Sequence, residues 1–201
     1  MGQGILFIVS APSGAGKTSL VRALLERDPA LALSVSCTTR APRTGEQDGV
    51  HYHFLARERF EQAIAAGDFL ESAEVFGNLY GTREQDVRDR LEAGEDLILE
   101  IDWQGARQVR ERIPEAVGIF VLPPSIAELE RRLRGRGTDS DTVIAGRMAQ
   151  ARDEMIHGDE YDYLVVNGDF DAALATLAAI VTAERQRQAR QQTVLAALLE
   201  G

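Results

Sequence analysis

The segment Ala11-Pro12-Ser13-Gly14-Ala15-Gly16-Lys17-Thr18 holds residue types suited to gripping a polyphosphate. It follows the pattern G-x-x-x-x-G-K-[ST] except at Ala11, where the pattern has glycine. An alanine fits there if the backbone stays extended. Successive backbone N–H groups in such a loop turn inward around phosphate oxygens, and glycines permit the close approach. The N-terminus of a following helix adds a field that favours anions. Lys17 would bring a point charge to β and γ phosphates, and the Thr18 hydroxyl can ligate Mg2+. Lys17 is the only lysine; the other 21 of the 22 basic residues are arginine. Arginine evidently did not serve at this one position, where a compact ammonium is needed.

The flanking sequence supplies the elements such a loop needs. Gly4 to Val9 is a short apolar run that reads as a buried strand, and Thr18 to Arg27 carries Leu20, Val21, Leu24 and Leu25 at helical spacing. Further buried strands are expected at 97–102, 117–122 and 164–166, with a second strand at Leu33 to Thr38. Helices are expected at 57–66, 83–92, 104–112, 125–133, 141–156 and from Ala172 to the C-terminus. Ser125 stands three residues before Glu128, the spacing of a capping box. Alternating strands and helices predict an α/β fold: a parallel sheet with helices on both faces. Two stretches break the alternation. The division expected is a core of 1–35, 93–125 and 157–201, a small mixed α/β insertion at 36–92, and a helical excursion at 126–156.

Composition narrows the function classes. The 201 residues are 44% hydrophobic and 27% charged, as in ordinary one-domain globular proteins. No run approaches the ~20 apolar residues of a membrane span. No secretory leader is apparent. The single cysteine, Cys37, excludes an internal disulfide framework. A cytoplasmic protein is expected. The net charge of −10 argues against a nucleic-acid or anionic-lipid partner. The one dense basic patch, Arg131, Arg132, Arg134 and Arg136, lacks the aromatics that single strands stack on. His51 and His53 have no third metal ligand spaced nearby. Val194, Leu195, Leu198 and Leu199 fit either a dimer face or an internal packing stripe.

An ordered set of motifs covers nearly the whole chain. It runs from Ser10 to Thr18, through Ser34 to Arg43 with Gly45-Glu46 and Tyr52, to Phe69-Leu70-Glu71 and Gly77 to Thr82. It continues with Ile101 to Gly105, Pro123-Pro124-Ser125, Arg134 to Thr138 and Val166-Asn167. In this set the chain resembles the guanylate kinases. The resemblance implies ATP-dependent phosphorylation of GMP to GDP, with dGMP as a further acceptor, on a P-loop core with a GMP-binding insertion and a lid. It also implies site residues. Ser36, Glu71, Thr82 and Asp102 would read guanine. Arg40, Arg43, Tyr52 and Tyr80 would clamp the GMP phosphate. Arg132, Arg136 and Arg147 would surround the ATP phosphates, and Asn167 would lie on the adenine side. Lys17, Arg40, Arg43, Arg136 and Arg147 would be catalytic.

The chemistry of these residues agrees with that assignment. Guanine presents N1–H and N2–H₂ as adjacent donors, and a carboxylate such as Glu71 is their natural acceptor; adenine has an acceptor at N1 instead. Guanidinium forks such as Arg40 and Arg43 bind phosphate bidentately, and tyrosine hydroxyls can donate to the same oxygens. Asp102 ends a buried strand like an aspartate that helps hold Mg2+, whereas the resemblance puts it near guanine. Glu100 lies two residues earlier on the same strand face, so the two roles stay open between these carboxylates. Two rival readings share the core: a silent binding module, and a kinase for another small molecule. The intact Gly14, Gly16, Lys17 and Thr18 argue against the first, Glu71 and Tyr80-Gly81-Thr82 against the second.

Overall fold

The computed structural model describes residues 3–75, 77–135 and 140–200. Its main sheet has five parallel strands in the order β2-β7-β1-β8-β9. These are β1 (Leu6–Ser10), β2 (Leu31–Leu33), β7 (Asp96–Glu100), β8 (Val117–Leu122) and β9 (Tyr163–Val166). A second sheet runs β4-β3-β6-β5, formed by β3 (Cys37–Thr38), β4 (His53–Phe54), β5 (Phe69–Val75) and β6 (Asn78–Arg83). The helices are α1 (Lys17–Arg27), α2 (Arg57–Ala66), α3 (Glu84–Glu92), α4 (Trp103–Arg112), α5 (Ile126–Gly135), α6 (Asp141–Ile156), α7 (Phe170–Arg185) and α8 (Gln188–Glu200).

Strand β1 is buried throughout because helices cover both faces of the sheet. Its period-two alternation divides the core. Phe7 and Val9 pack with Leu20, Leu24, Leu177 and Val181 of α1 and α7. Leu6 and Ile8 pack with Val87, Leu91 and Val109 of α3 and α4. Helix α3 is therefore packed on the main sheet, although it falls within the 36–92 stretch. The chain leaves β1 toward β2 on one side and later reaches β8 on the other. That reversal opens a crevice at the carboxyl end of β1, where open α/β sheets bind ligands.

Three local expectations need correction. Leu33 to Thr38 is not one strand. Leu31–Leu33 joins the main sheet, Cys37–Thr38 the second, and the last bond to the main sheet runs from the Ser34 N–H to the Ile98 carbonyl. The change from apolar to polar residues at Ser34 marks the crossing between sheets. The capping box is half made. Ser125 Oγ accepts the Glu128 N–H at 3.1 Å, but the Glu128 carboxylate turns to Arg131 and Arg132, which outbid a backbone amide. The C-terminal segment is two helices, broken at 186–187. No residue of α8 is buried, so Val194, Leu195, Leu198 and Leu199 form no internal packing stripe.

The second sheet is pinned by its own small core. Phe60 of α2 stacks on Phe69 at 4.4 Å, beside Cys37 and Leu79. A register shift between Phe69 and Glu71 inserts one extra residue into β5 opposite β6. Consequently three consecutive residues are buried in three different places: Phe69 in the small core, Leu70 in the main core, and Glu71 in a pocket between the sheets. Bulges of this kind re-aim side chains beside binding sites.

Candidate active site

The loop after β1 forms a recess of about 240 Å³ lined by Ala11 to Gly14 and Gly16 to Ser19. Gly14 and Gly16 have φ of 94° and 95°, a left-handed conformation that only glycine adopts without strain. Gly16 is also sterically required, since a Cβ there would stand 2.4 Å from Asn167 Nδ2. Asn167 is buried, and its amide donates to the Ala15 carbonyl at 2.7 Å. Arg132 in turn donates to the Asn167 carbonyl at 2.9 Å. These two residues brace the outside of the loop. Ala11 packs against the core cluster above α1.

A second cavity, of about 310 Å³, adjoins the loop. Lys17, Glu100, Ile101 and Asp102 form its wall on the main sheet; Ser36, Tyr52, Glu71, Ala73, Val75 and Tyr80 form the other walls. Lys17 lines both cavities. Burial pulls its ammonium below the ordinary lysine range, while Glu100, Asp102 and Glu154 hold it up.

Inside this cavity Glu71 is only 5% exposed. Thr82 Oγ1 donates to Glu71 Oε1 at 2.7 Å, and Ser36 Oγ lies 3.2 Å from Thr82 Oγ1. Gly105 keeps the space beside the carboxylate open, because a Cβ there would meet Glu71 Oε2 at 3.1 Å. Burial pushes the Glu71 carboxyl up to about 7; the Thr82 hydroxyl opposes this and the Asp102 charge adds to it. A raised carboxyl pKa means that the folded chain holds more protons than the unfolded one between about 4.5 and about 7. Stability attributable to this group is complete below that window and falls as pH rises through it, by at most about 1.4 kcal/mol per pH unit. Thermal melts across pH 4 to 8 are expected to show this decline in the parent and not in Glu71→Gln; equal slopes would remove the assignment.

The two open carboxylate roles separate in space. Thr18 Oγ1 donates to Glu100 Oε2 at 2.9 Å. Asp102 caps α4 by accepting the Gly105 N–H at 2.8 Å and lines the cavity near Glu71.

The arginine and tyrosine cluster lies at the rim. Arg40 donates to Glu46 at 2.9 Å and to the Ala41 carbonyl at 2.8 Å, with its guanidinium 5.5 Å from the Tyr52 ring centre. Tyr52 and Tyr80 meet edge to face at 6.0 Å. The Arg43 N–H bonds the other Glu46 oxygen at 2.7 Å, while the Arg43 side chain is exposed. The Arg40 hydrogen bond holds the Glu46 carboxyl down to about 2. Glu46 received no role from sequence, although it lies in the motif set and three residues after Arg43. Arg147 is half-buried on α6. Arg136 lies outside the described residues. Glu154, seven residues beyond Arg147 on α6, was missed altogether.

Two adjoining cavities thus meet at Lys17, one of them walled by the loop after β1. Comparison with known proteins decides the family. A model of the guanylate kinase family matches residues 3–184. The chain belongs to the guanylate kinase family. It is 61% identical over 196 residues to the guanylate kinase of Alkalilimnicola ehrlichii, covering 98% of this chain and 97% of the relative. It is 58% identical over 202 residues to that of Vibrio parahaemolyticus, covering 100% and 98%. Among solved structures, the guanylate kinase from Anaplasma phagocytophilum superposes with a TM-score of 0.76 at 35% identity, covering 94% of this chain and 90% of that one. The family phosphorylates GMP to GDP with ATP, and the chain is a nucleoside monophosphate kinase. No described helix is long and apolar enough to cross a membrane.

Proposed function

We propose that the chain transfers the γ-phosphoryl group of ATP directly, in line, to a phosphate oxygen of GMP across Lys17. The carrying observation is that this single ammonium lines both the loop recess and the Glu71 cavity. The loop amides and Lys17 bind the donor phosphates. Glu71, with Thr82, Ser36 and Asp102, accepts and orients guanine. Arg40, Arg43, Tyr52 and Tyr80 hold the acceptor phosphate, which requires Arg40 to share or leave Glu46. That phosphate has a second pKa near ~6 and is largely ionised at neutral pH, so no general base is needed. The obstacle is repulsion between two anions, and cationic side chains lower it where charge develops.

Thr18 Oγ1 and the Glu100 carboxylate are hard oxygen donors beside the loop, a set that fits Mg2+ completed by phosphates and water. Bound there, Mg2+ would neutralise phosphate charge. Helices α5 and α6 form the lid of the proposal and residues 36–92 its acceptor-binding insertion, whose last helix α3 packs on the main sheet. Closure over the nucleotides excludes water and limits wasteful hydrolysis. Arg136 belongs to the same set by resemblance alone. dGMP is proposed as a further acceptor and is assayed beside GMP. A cytoplasmic location and association of copies through the exposed α8 face complete the reading.

ADP release measured with ATP, Mg2+ and each nucleoside monophosphate tests the proposal. GMP is expected to be used at least ~10²-fold better than AMP in kcat/KM. Equal use of AMP would overturn the base-reading part. Arg147→Ala is expected to lower kcat by ~10²-fold with a smaller change in the KM for GMP. The reverse pattern would move Arg147 to the acceptor side.

A further inference from the structure

Helix α6 brings an acidic group to the phosphate loop, and nothing in the reaction described above uses it. Arg147, Ala151 and Glu154 recur at helical spacing on one face of α6. Ala151 is buried against Leu129 and Leu133 of α5. Those leucines pack directly on the loop, since a Cβ at Gly14 would meet both at 3.0 Å. The helix pair is thereby seated on the loop, and the Glu154 side chain extends from it toward the donor recess. There the carboxylate lies close to the Ser13 backbone N–H, and Lys17 and Asp102 both act on its charge. Its second oxygen, Oε2, is buried without a hydrogen-bond partner among the described residues.

A half-satisfied carboxylate against a loop built for anions is costly, so something must offset it. It supplies a negative charge to a buried ammonium and an acceptor to a loop N–H. We infer that Glu154 is a built-in counter-anion of the phosphate loop: a positioning residue that holds Ser13 and Lys17 in place without nucleotide and opposes the arriving phosphates of ATP. The polyphosphate chain carries the same sign of charge and seeks the same donors. Entry therefore forces Glu154 away from the loop or binds against its repulsion. Either way, the residue lowers affinity for the donor and not for GMP.

This inference rests on the loop being the ATP site, and its test does not depend on turnover. Calorimetric titration of the full chain with ATP, and separately with inorganic pyrophosphate, is compared for parent, Glu154→Gln and Glu154→Asp. The neutral, isosteric Gln variant is expected to bind both anions at least ~5-fold tighter. In steady state its KM for ATP falls while the KM for GMP stays put. The Asp variant keeps the charge but retreats by one methylene, and it is expected to tighten by about 2-fold. That variant carries the test if Gln fails to fold. Unchanged or weaker binding of ATP and pyrophosphate in the folded variants would overturn the inference. A purely structural role would lower the melting temperature without splitting the two KM values. If GMP turnover were absent in the parent, the assigned reaction would fall while the binding comparison still judged Glu154.

Discussion

Lys17→Ala is expected to lower kcat by ~10³-fold or more while the chain stays folded. Lys17 stands at the start of α1, whose burial depends on Leu20, Val21 and Leu24 and not on the lysine. Among the described residues, Lys17 is the one cation that lines both the loop recess and the Glu71 cavity, and the substitution deletes it. Three acidic neighbours, Glu100, Asp102 and Glu154, then lose the ammonium that offsets them. The melting temperature is expected to hold or rise, because a desolvated ammonium no longer has to be accommodated. Steady-state kinetics and a thermal melt on one preparation check both parts. Turnover within about tenfold of the parent would remove Lys17 from the centre of the reaction.

Glu71→Gln is expected to separate activity from stability in opposite directions. The amide keeps an oxygen for the Thr82 hydroxyl, which donates to Glu71 Oε1 at 2.7 Å. Its other end becomes a donor, facing the donors of guanine. An unpaired buried donor pair costs several kcal/mol, so kcat/KM for GMP is expected to fall ~10³-fold or more. Binding of ATP is expected to stay unchanged, because Glu71 does not line the loop recess. Meanwhile the neutral side chain relieves the burial that raises the carboxyl pKa to about 7, so the variant is expected to melt higher at pH 8. Loss of GMP use with a higher melting temperature excludes misfolding as the cause. Unchanged GMP kinetics would sink the guanine-reading role.

The parts of this site that lie close together in sequence were legible. Small residues, Lys17 and Thr18 between an apolar run and a helical stripe give the loop, because its function uses backbone groups that any viewer of the chain can count. Glu71 and Asp102 could be named from the resemblance, but not their surroundings. The bulge that turns Glu71 into the cavity is a register decision between β5 and β6, and residue alternation alone predicts no such shift. Asn167 could be expected beside the nucleotide; that it ties down the Ala15 carbonyl across 152 residues could not.

The sequence by itself determined the phosphate loop, the alternating α/β order, the acidic surface and the residue types on which the chemistry draws. These follow from local spacing, since backbone periodicity and side-chain functional groups act over a few residues. Only the tertiary structure decided that Glu100 meets Thr18 and Asp102 caps α4, that Lys17 spans two cavities, and that Glu154 reaches the loop. Each of those depends on contacts between segments tens of residues apart. Such contacts are selected by how whole faces pack against one sheet, and nothing in the local spacing of residues encodes them.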